Sequence, residues 1–453
     1  SLGALLTKLL LYADDASLMA LSPARMQYLL RMLEEFCAAF GMKINTSKSE
    51  MMVFGCDDAA TAPVVAACQE LKLCGDAIPM VEQAKYLGLV YGPGKAFASC
   101  REQLLASGRA AMCSLSAKLD RSKLWAPDLR VKSFNTQVRS ILSYGAEVWG
   151  PDVLMAAVKG KRRNSRNLAS GLFEACLSDP AIRLQITYYR HTAGAMRPTH
   201  RLLFAEMGAL PLHEHWASLV FGFWNRCVRR PGSLAHEALV EEIRLGLETP
   251  NWGGWGAQAL AFLESLGVNV WEGGPTEVGA RERAEWLVER PLSICAIMDA
   301  LREELSVGWS HERLDPQPRD CVSDQKQPGV KMSRYKHWMG LTAWGCLPPS
   351  LPAHSRAFIP VKEHQLLMRF RMGCWPLRVN ADTSMPRGER VCQRCRSGAV
   401  EDERHVLLEC PAYTAARAPL ECGANSDMCM AMRESDARQL AGALRQIWER
   451  RFG

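Results

Sequence analysis

The chain has 453 residues, 48% of them apolar, and a formal net charge of +7. That apolar share excludes wholesale disorder, and the length allows roughly two to four domains. No apolar run approaches the roughly 20 residues that span a bilayer, and 17 scattered cysteines without a secretory leader argue for a reducing compartment over a disulfide scaffold.

The chain opens Ser1-Leu2-Gly3, without an initiator methionine, and reaches a candidate active-site turn by residue 14. A start lacking upstream sequence is therefore expected. Leu9-Leu10-Leu11, a tight polar turn and Ala16 to Leu21 read as strand, turn and strand, with Asp14 and Asp15 at the tip. Ser22-Pro23 signals a helix start. Leu29, Leu30, Leu33, Phe36 and Phe40 follow at helical spacing, and Gly41 ends the helix. Met42 to Asn45 and Glu50 to Phe54 read as short strands around a loop, and Lys85 to Tyr91 as another strand segment.

From 96 to 150 the text is helix-forming, with Leu104, Met112, Leu115, Leu119, Val131 and Val138 as apolar positions. Helical segments continue over 165–245, broken at Pro198, Pro211 and Pro231. Residues 250–280, rich in Gly and Trp, read as a loop or boundary, and 312–330, with three prolines, as a linker. A final helix is expected around 430–451.

Nucleotidyl transfer by the two-metal route needs carboxylates that hold two divalent ions between the attacking oxygen and the phosphate. Hard oxygen ligands suit Mg²⁺. A bare Asp-Asp pair is more often a solvated turn. An apolar strand, an aromatic, a small residue, the Asp pair and a second apolar strand together are far more specific.

Leu11-Tyr12-Ala13-Asp14-Asp15 resembles the active-site signature of reverse transcriptases, in the form common to non-LTR (LINE-type) retrotransposons and group II introns. The pieces after it keep the family's order. Gly41-Met42-Lys43-Ile44-Asn45 with Lys48-Ser49 and Phe54-Gly55 resembles the next palm motif. Lys85-Tyr86-Leu87-Gly88 resembles the hairpin that grips the primer. Leu142 to Gly150, with Tyr144-Gly145 and Trp149-Gly150, resembles a LINE-type thumb.

The resemblance implies Asp14 as a Mg²⁺ ligand, Asp15 as a second acidic member of the site and Tyr12 on the nucleotide side. Lys48 would stabilise charge near the departing pyrophosphate; an ordinary surface lysine is an equal reading. Lys85, Tyr86, Leu87 and Gly88 would position the primer end; the alternative is an ordinary strand with Tyr86 and Leu87 in the core. The family needs another carboxylate from an earlier palm strand, so this chain alone is expected to be inactive.

Cys392, Cys395, His405 and Cys410 are separated by two, nine and four residues. A Cys-x-x-Cys knuckle holds one side of a tetrahedral zinc, and His and Cys close the other. In a chain with 17 cysteines, chance is the competing explanation. The flanking Phe370 to Gly373, Leu377 to Asn380 and Glu401 to His405 resemble the zinc-binding segment near the C-terminus of many LINE-type enzymes. Zinc would add folding energy to a segment too small for its own core. Cys374, Cys422 and Cys429 read as core or free thiols.

Lys159, Lys161, Arg162, Arg163 and Arg166 fall within eight residues that include no acid. They read as phosphate contacts, or as a solvated loop or localisation signal. Lys331, Arg334 and Lys336, interleaved with Tyr335, His337 and Trp338, suit backbone contact plus base stacking. The competing reading is an amphipathic helix with Tyr335 and Trp338 packed inward. Arg369, Arg371 and Arg378 extend the basic text, while His200, His213 and His215 read as structural.

The expected fold class is α+β: a partial polymerase palm (hairpin plus helix), a mainly helical thumb and linker region, and a small zinc-binding module. Residues 1–95 would be palm, 96–175 thumb-like, 176–330 a helical connector, 331–420 the zinc-binding segment and 421–453 the C-terminal helix. The partners implied are an RNA template, a DNA target or primer and deoxynucleotides, with no membrane, in an intracellular ribonucleoprotein of nucleus and cytoplasm. The alternative function is a catalytically dead, zinc-dependent RNA- or DNA-binding protein derived from such an element.

Overall fold

A computed structural model of the chain describes residues 9–54, 62–92, 97–122, 126–163, 171–195, 197–249, 252–310, 328–339, 359–381, 384–420, 427–433 and 435–453. The described residues are mostly helical, with small antiparallel strand pairs, as an α+β chain should be. The N-terminal part runs β1 (Leu9–Tyr12), β2 (Asp15–Leu18), α1 (Pro23–Ala39), α2 (Ala62–Gln69), β3 (Lys72–Leu73), β4 (Asp76–Ala77), β5 (Ala84–Tyr86) and β6 (Leu89–Tyr91). A helical body follows: α3 (Ala98–Arg121), α4 (Pro127–Phe134), α5 (Ser140–Leu142), α6 (Ala146–Arg163), α7 (Leu172–Cys176), α8 (Pro180–Ala193), α9 (His200–Glu206), α10 (Leu212–Val228), α11 (Leu234–Glu248), α12 (Trp255–Ser265), α13 (Ala280–Leu287) and α14 (Ile294–Ser310). The last part holds α15 (Pro328–Met339), α16 (Val361–Arg371), α17 (Arg378–Ala381), α18 (Thr414–Arg417), α19 (Met428–Arg433) and α20 (Ala437–Phe452). No described helix is long and apolar enough to cross a membrane.

Three clusters of buried side chains organise these elements. The smallest holds Leu30, Met51, Cys68, Leu71 and Leu73. It leaves much of α1 uncovered: Ser22 caps the helix as the text signals, through Arg25 N–H donating to its Oγ, yet Leu30 is the only buried residue of α1. Leu11, Leu21, Phe36 and Phe40 are exposed. The strands expected over 42–45 and 50–54 are absent. Thr46–Lys48 form one 3₁₀ turn, and Met51 makes a single parallel bridge to Met80.

The largest cluster runs through the helical body from Leu89 to α15. All six apolar positions read from 96–150 are buried in it. Gly108 on α3 lets Leu142 approach so closely that a Cβ there would sit 2.5 Å from its Cδ2. The helix breaks fall at the expected prolines.

Residues 250–280 are not a plain loop, because α12 lies inside them, and Trp255 shows why. Pro151 sits inside α6 and lacks the N–H that would bond the Glu147 carbonyl four residues earlier. Trp255 Nε1 donates to that carbonyl at 2.8 Å, while its ring stacks on Trp224. Trp255→Phe keeps the ring and loses the donor, leaving a half-buried carbonyl unsatisfied. It should cost about 1–2 kcal/mol, read as a lower urea midpoint with unchanged slope.

The third cluster gathers α15, α16, α18, α19 and α20 around Trp375, and includes Cys392 and Cys410. The Cys/His segment therefore shares a core of its own, contrary to the expectation that it is too small for one. Trp375 stands edge-on to Phe370 and Trp448. Helix α15 bridges two clusters: Met332 and Tyr335 enter the large one and Trp338 the third. The linker expected over 312–330 lies outside the described residues except for its last three positions, which open α15.

Candidate functional site

The β1–β2 hairpin pairs Tyr12 with Asp15 across a two-residue turn of Ala13 and Asp14. Ala13 holds φ +51°, left-handed backbone that costs a non-glycine residue about 1–3 kcal/mol. Tyr12, Asp14 and Asp15 are all exposed. Among the described residues, the groups of three or more potential ligands close enough to share an ion include neither aspartate. Two carboxylates are fewer ligands than two-metal transfer requires, so the described residues do not form a complete Mg²⁺ site. Lys48 is exposed on its 3₁₀ turn.

In the second hairpin, Tyr86 pairs with Leu89 across Leu87 and Gly88, whose φ values of +49° and +84° give the twist favoured by two-residue hairpins. Lys85 and Leu87 are exposed and Tyr86 is half-buried, so Leu87 is a turn residue and not the core residue of the alternative ordinary-strand reading.

The structure brings this turn to the segment 142–150. Tyr144 Oη donates to the Leu87 carbonyl at 2.8 Å, and a Cβ on Gly88 would stand only 3.1 Å from its ring. Gly145, at φ +70°, gives room to Leu89. Trp149 Nε1 donates to the Tyr144 carbonyl, and its buried ring meets Trp216 edge-on. A Cβ on Gly150 would stand 2.5 Å from Val220. Each member of Tyr144-Gly145 and Trp149-Gly150 thus has a packing reason, and two separate sequence motifs become one docked unit.

Cys392, Cys395, His405 and Cys410 converge. Cys392 N–H donates to the Ala399 carbonyl, and Val391 bridges Val400, closing a narrow knuckle. Arg396 and Gly398, both with positive φ, turn the chain between them. A single π-turn covers His405–Glu409, and Cys410 N–H donates to the His405 carbonyl, tying the second ligand pair directly together. The Sγ atoms of Cys392 and Cys410 are 4.0 Å apart, and Cys395 Sγ is 3.4 Å from His405 Nε2. A tetrahedral zinc with bonds of about 2.3 Å to sulfur and about 2.0 Å to nitrogen sets such pairs about 3.8 and about 3.5 Å apart. The donor set and the spacing fit zinc.

The thiols differ in acidity. Burial opposes ionisation of Cys395, but hydrogen bonds led by Ser397 outweigh it and bring the thiol down to about 6. Burial pushes Cys410 up to about 12. Zinc bound there would displace thiol protons, so its affinity would weaken as pH falls.

Glu409 stands behind His405. Its Oε2 is 3.8 Å from His405 Nδ1, and Arg404 Nε donates to its Oε1 at 2.7 Å. At 3.8 Å the carboxylate makes no hydrogen bond to Nδ1, but its charge favours a proton there and so leaves Nε2 for the metal. Glu409→Gln should lower zinc affinity by about 10-fold at most, the low end for groups behind a ligating histidine, measured by competition with a chromophoric chelator. Unchanged affinity would remove this role.

The three acids before His405 anchor the segment. Glu401 is fully buried and binds Arg451 of α20 through both oxygens. Asp402 pairs with Arg387 and accepts from His405 N–H. Glu403, fully buried, takes Arg334 of α15 at 2.6 Å and Asn380 at 2.8 Å.

These contacts correct the picture of a basic face. Arg334 is committed to Glu403, Lys331 Nζ donates to the Gly373 carbonyl at 2.7 Å, and Lys336 is buried. Tyr335 and Trp338 pack inward, as in the amphipathic-helix reading. Arg369 lies over Trp448, and Arg371 donates to the Met432 carbonyl. In the 159–166 run, Lys159 is exposed and Lys161 pairs with Glu304. Arg166 and the side chains of Arg162 and Arg163 lie outside the described residues, as does Cys422. His213 is buried and its pKa falls to about 4 through burial.

Residues 3–91 match the family described as reverse transcriptase (RNA-dependent DNA polymerase). The match ends with β6, so both hairpins lie within it. That family works on a nucleic-acid template with nucleotide substrates and generally uses Mg²⁺. Neither the curated proteins nor the solved structures contain a match to the chain.

Proposed function

We propose that the chain is the later palm, thumb and zinc-binding part of an RNA-directed DNA polymerase of LINE type. The carrying observation is the turn of Leu87 and Gly88 seated on Tyr144, downstream of a hairpin with Asp14 and Asp15 at its tip. It joins the primer-grip-like hairpin of the matched region to the thumb-like motif beyond it. Asp14 and Asp15 supply two carboxylates of the metal site, and a further one completes it. Leu11, Leu21, Phe36 and Phe40 are exposed, and the rest of a palm would cover apolar side chains of this kind. The fully assembled Cys/His cluster favours, as a second reading, a chain that holds nucleic acid without catalysis.

Primer extension on an RNA template with Mg²⁺ separates the readings. The chain by itself is expected to bind the primer–template duplex, with affinity falling linearly in log–log against salt, and to extend nothing. Extension abolished by Asp14→Ala would show that the site is already complete. No duplex binding at low salt would sink both readings.

A further inference from the structure

A second group of metal-ligating side chains lies apart from the Cys/His cluster. His337, Asp427 and Cys429 bring three ligand atoms within 4.8 Å of one another. His337 stands in the last turn of α15, and Asp427 and Cys429 flank the start of α19. The last carbonyls of a helix have no N–H partner within it, and Cys429 Sγ donates to one of them, that of His337, at 3.2 Å. Asp427 Oδ2 lies 3.9 Å from His337 Nε2. His337 and Asp427 are exposed, whereas Cys429 is buried behind them. The group is open to solvent on one side and backed by protein on the other.

We propose that His337, Asp427 and Cys429 bind a divalent cation of the zinc class, clasping the end of α15 to the start of α19. One thiolate, one imidazole and one carboxylate form a mixed S, N, O set, which selects zinc-like ions over Mg²⁺ or Ca²⁺. Three protein ligands leave a fourth position for water. A tetrahedral zinc with bonds of about 2.0 Å places N and O donors about 3.3 Å apart, so the His337–Asp427 pair closes by a fraction of an ångström. On binding, Cys429 releases its thiol proton to solvent and Sγ bonds the ion, so its hydrogen bond to the His337 carbonyl is lost. The ion fixes the helix that enters both the large cluster, through Tyr335, and the third, through Trp338. This inference stands independently of the polymerase reading.

Zinc counting on the full chain, stripped of metal and reconstituted with Zn²⁺, tests it. Wild type should hold two equivalents, and His337→Ala, Asp427→Asn and Cys429→Ser one each. Cys395→Ser with His405→Ala, which leaves the Cys/His cluster only two ligands, should also hold one, which Cys429→Ser then removes. His337 and Asp427 are surface residues, so their variants keep the test valid if Cys429→Ser misfolds. With Co²⁺ in the Cys395→Ser, His405→Ala background, a thiolate-to-cobalt absorption band should persist and vanish on adding Cys429→Ser. One equivalent in wild type, lost in Cys395→Ser with His405→Ala and untouched by His337→Ala, would overturn the proposal. So would second-site binding only at millimolar zinc.

Discussion

Cys395→Ser is expected to weaken zinc binding at the Cys/His cluster and to remove that cluster's share of the chelator sensitivity of unfolding, leaving the share of the His337, Asp427 and Cys429 group. Binding to the native state alone stabilises by RT ln(1 + [L]/Kd), which is about 4 kcal/mol when free zinc exceeds Kd a thousandfold. Cys395 is the most exposed of the four ligands, so serine there leaves no new buried cavity. The loss therefore reports coordination and not packing. Cys392 and Cys410 belong to the same core as Trp375 and Leu407. Without metal, two buried thiols remain where the ion had joined them. The third cluster stays apolar and collapsed, so far-ultraviolet circular dichroism should keep most of its signal while the chemical midpoint falls. Equal midpoints with and without chelator in wild type would show that the four residues hold no structural metal.

Much of the site was legible because its signals are local. The Asp14-Asp15 turn, the Ser22 cap and the Cys392-x-x-Cys395 knuckle each lie within a few residues, where turn chemistry and ligand geometry act directly. The α3 face was legible for the same reason, since helical period alone marks Leu104, Met112 and Leu119.

What the text could not show depends on partners far along the chain. The role of Arg334 is set by Glu403, 69 positions away. Before folding, its charge reads the same as that of a phosphate-binding arginine. Trp255 reads as loop text until Pro151 is seen to leave a carbonyl without a donor. His337, Asp427 and Cys429 carry no motif at all, because the two segments meet only when α15 docks on α19. The helical text of α1 was correctly placed, yet its apolar face is left bare. Periodicity reports which side is apolar and is silent on what covers it.

Glu403→Ala is expected to cost about 3 kcal/mol, the lower end of the range for breaking a buried ion pair by removing one partner. The side chain of Glu403 is wholly buried, whereas that of Arg334 keeps 24% exposure. The abandoned guanidinium therefore retains some water, which limits the penalty. Burial raises the Glu403 pKa, but the charge of Arg334 and the Asn380 hydrogen bond outweigh it and hold the carboxyl below its ordinary value. A depressed native pKa contributes stability that is present above the unfolded value of about 4.3 and lost as pH falls through the lower native one. Wild type should therefore lose stability below about pH 4.3 more steeply than Glu403→Gln. Replacing both partners by apolar residues of similar volume, Arg334→Met with Glu403→Leu, should recover most of the loss, because neither charge is then stranded. The same pair decides what Arg334 is for. If it serves the fold, Arg334→Met alone lowers the urea midpoint and leaves the salt slope of duplex binding unchanged. A smaller slope at unchanged stability would return it to the phosphate-binding role that its sequence suggests.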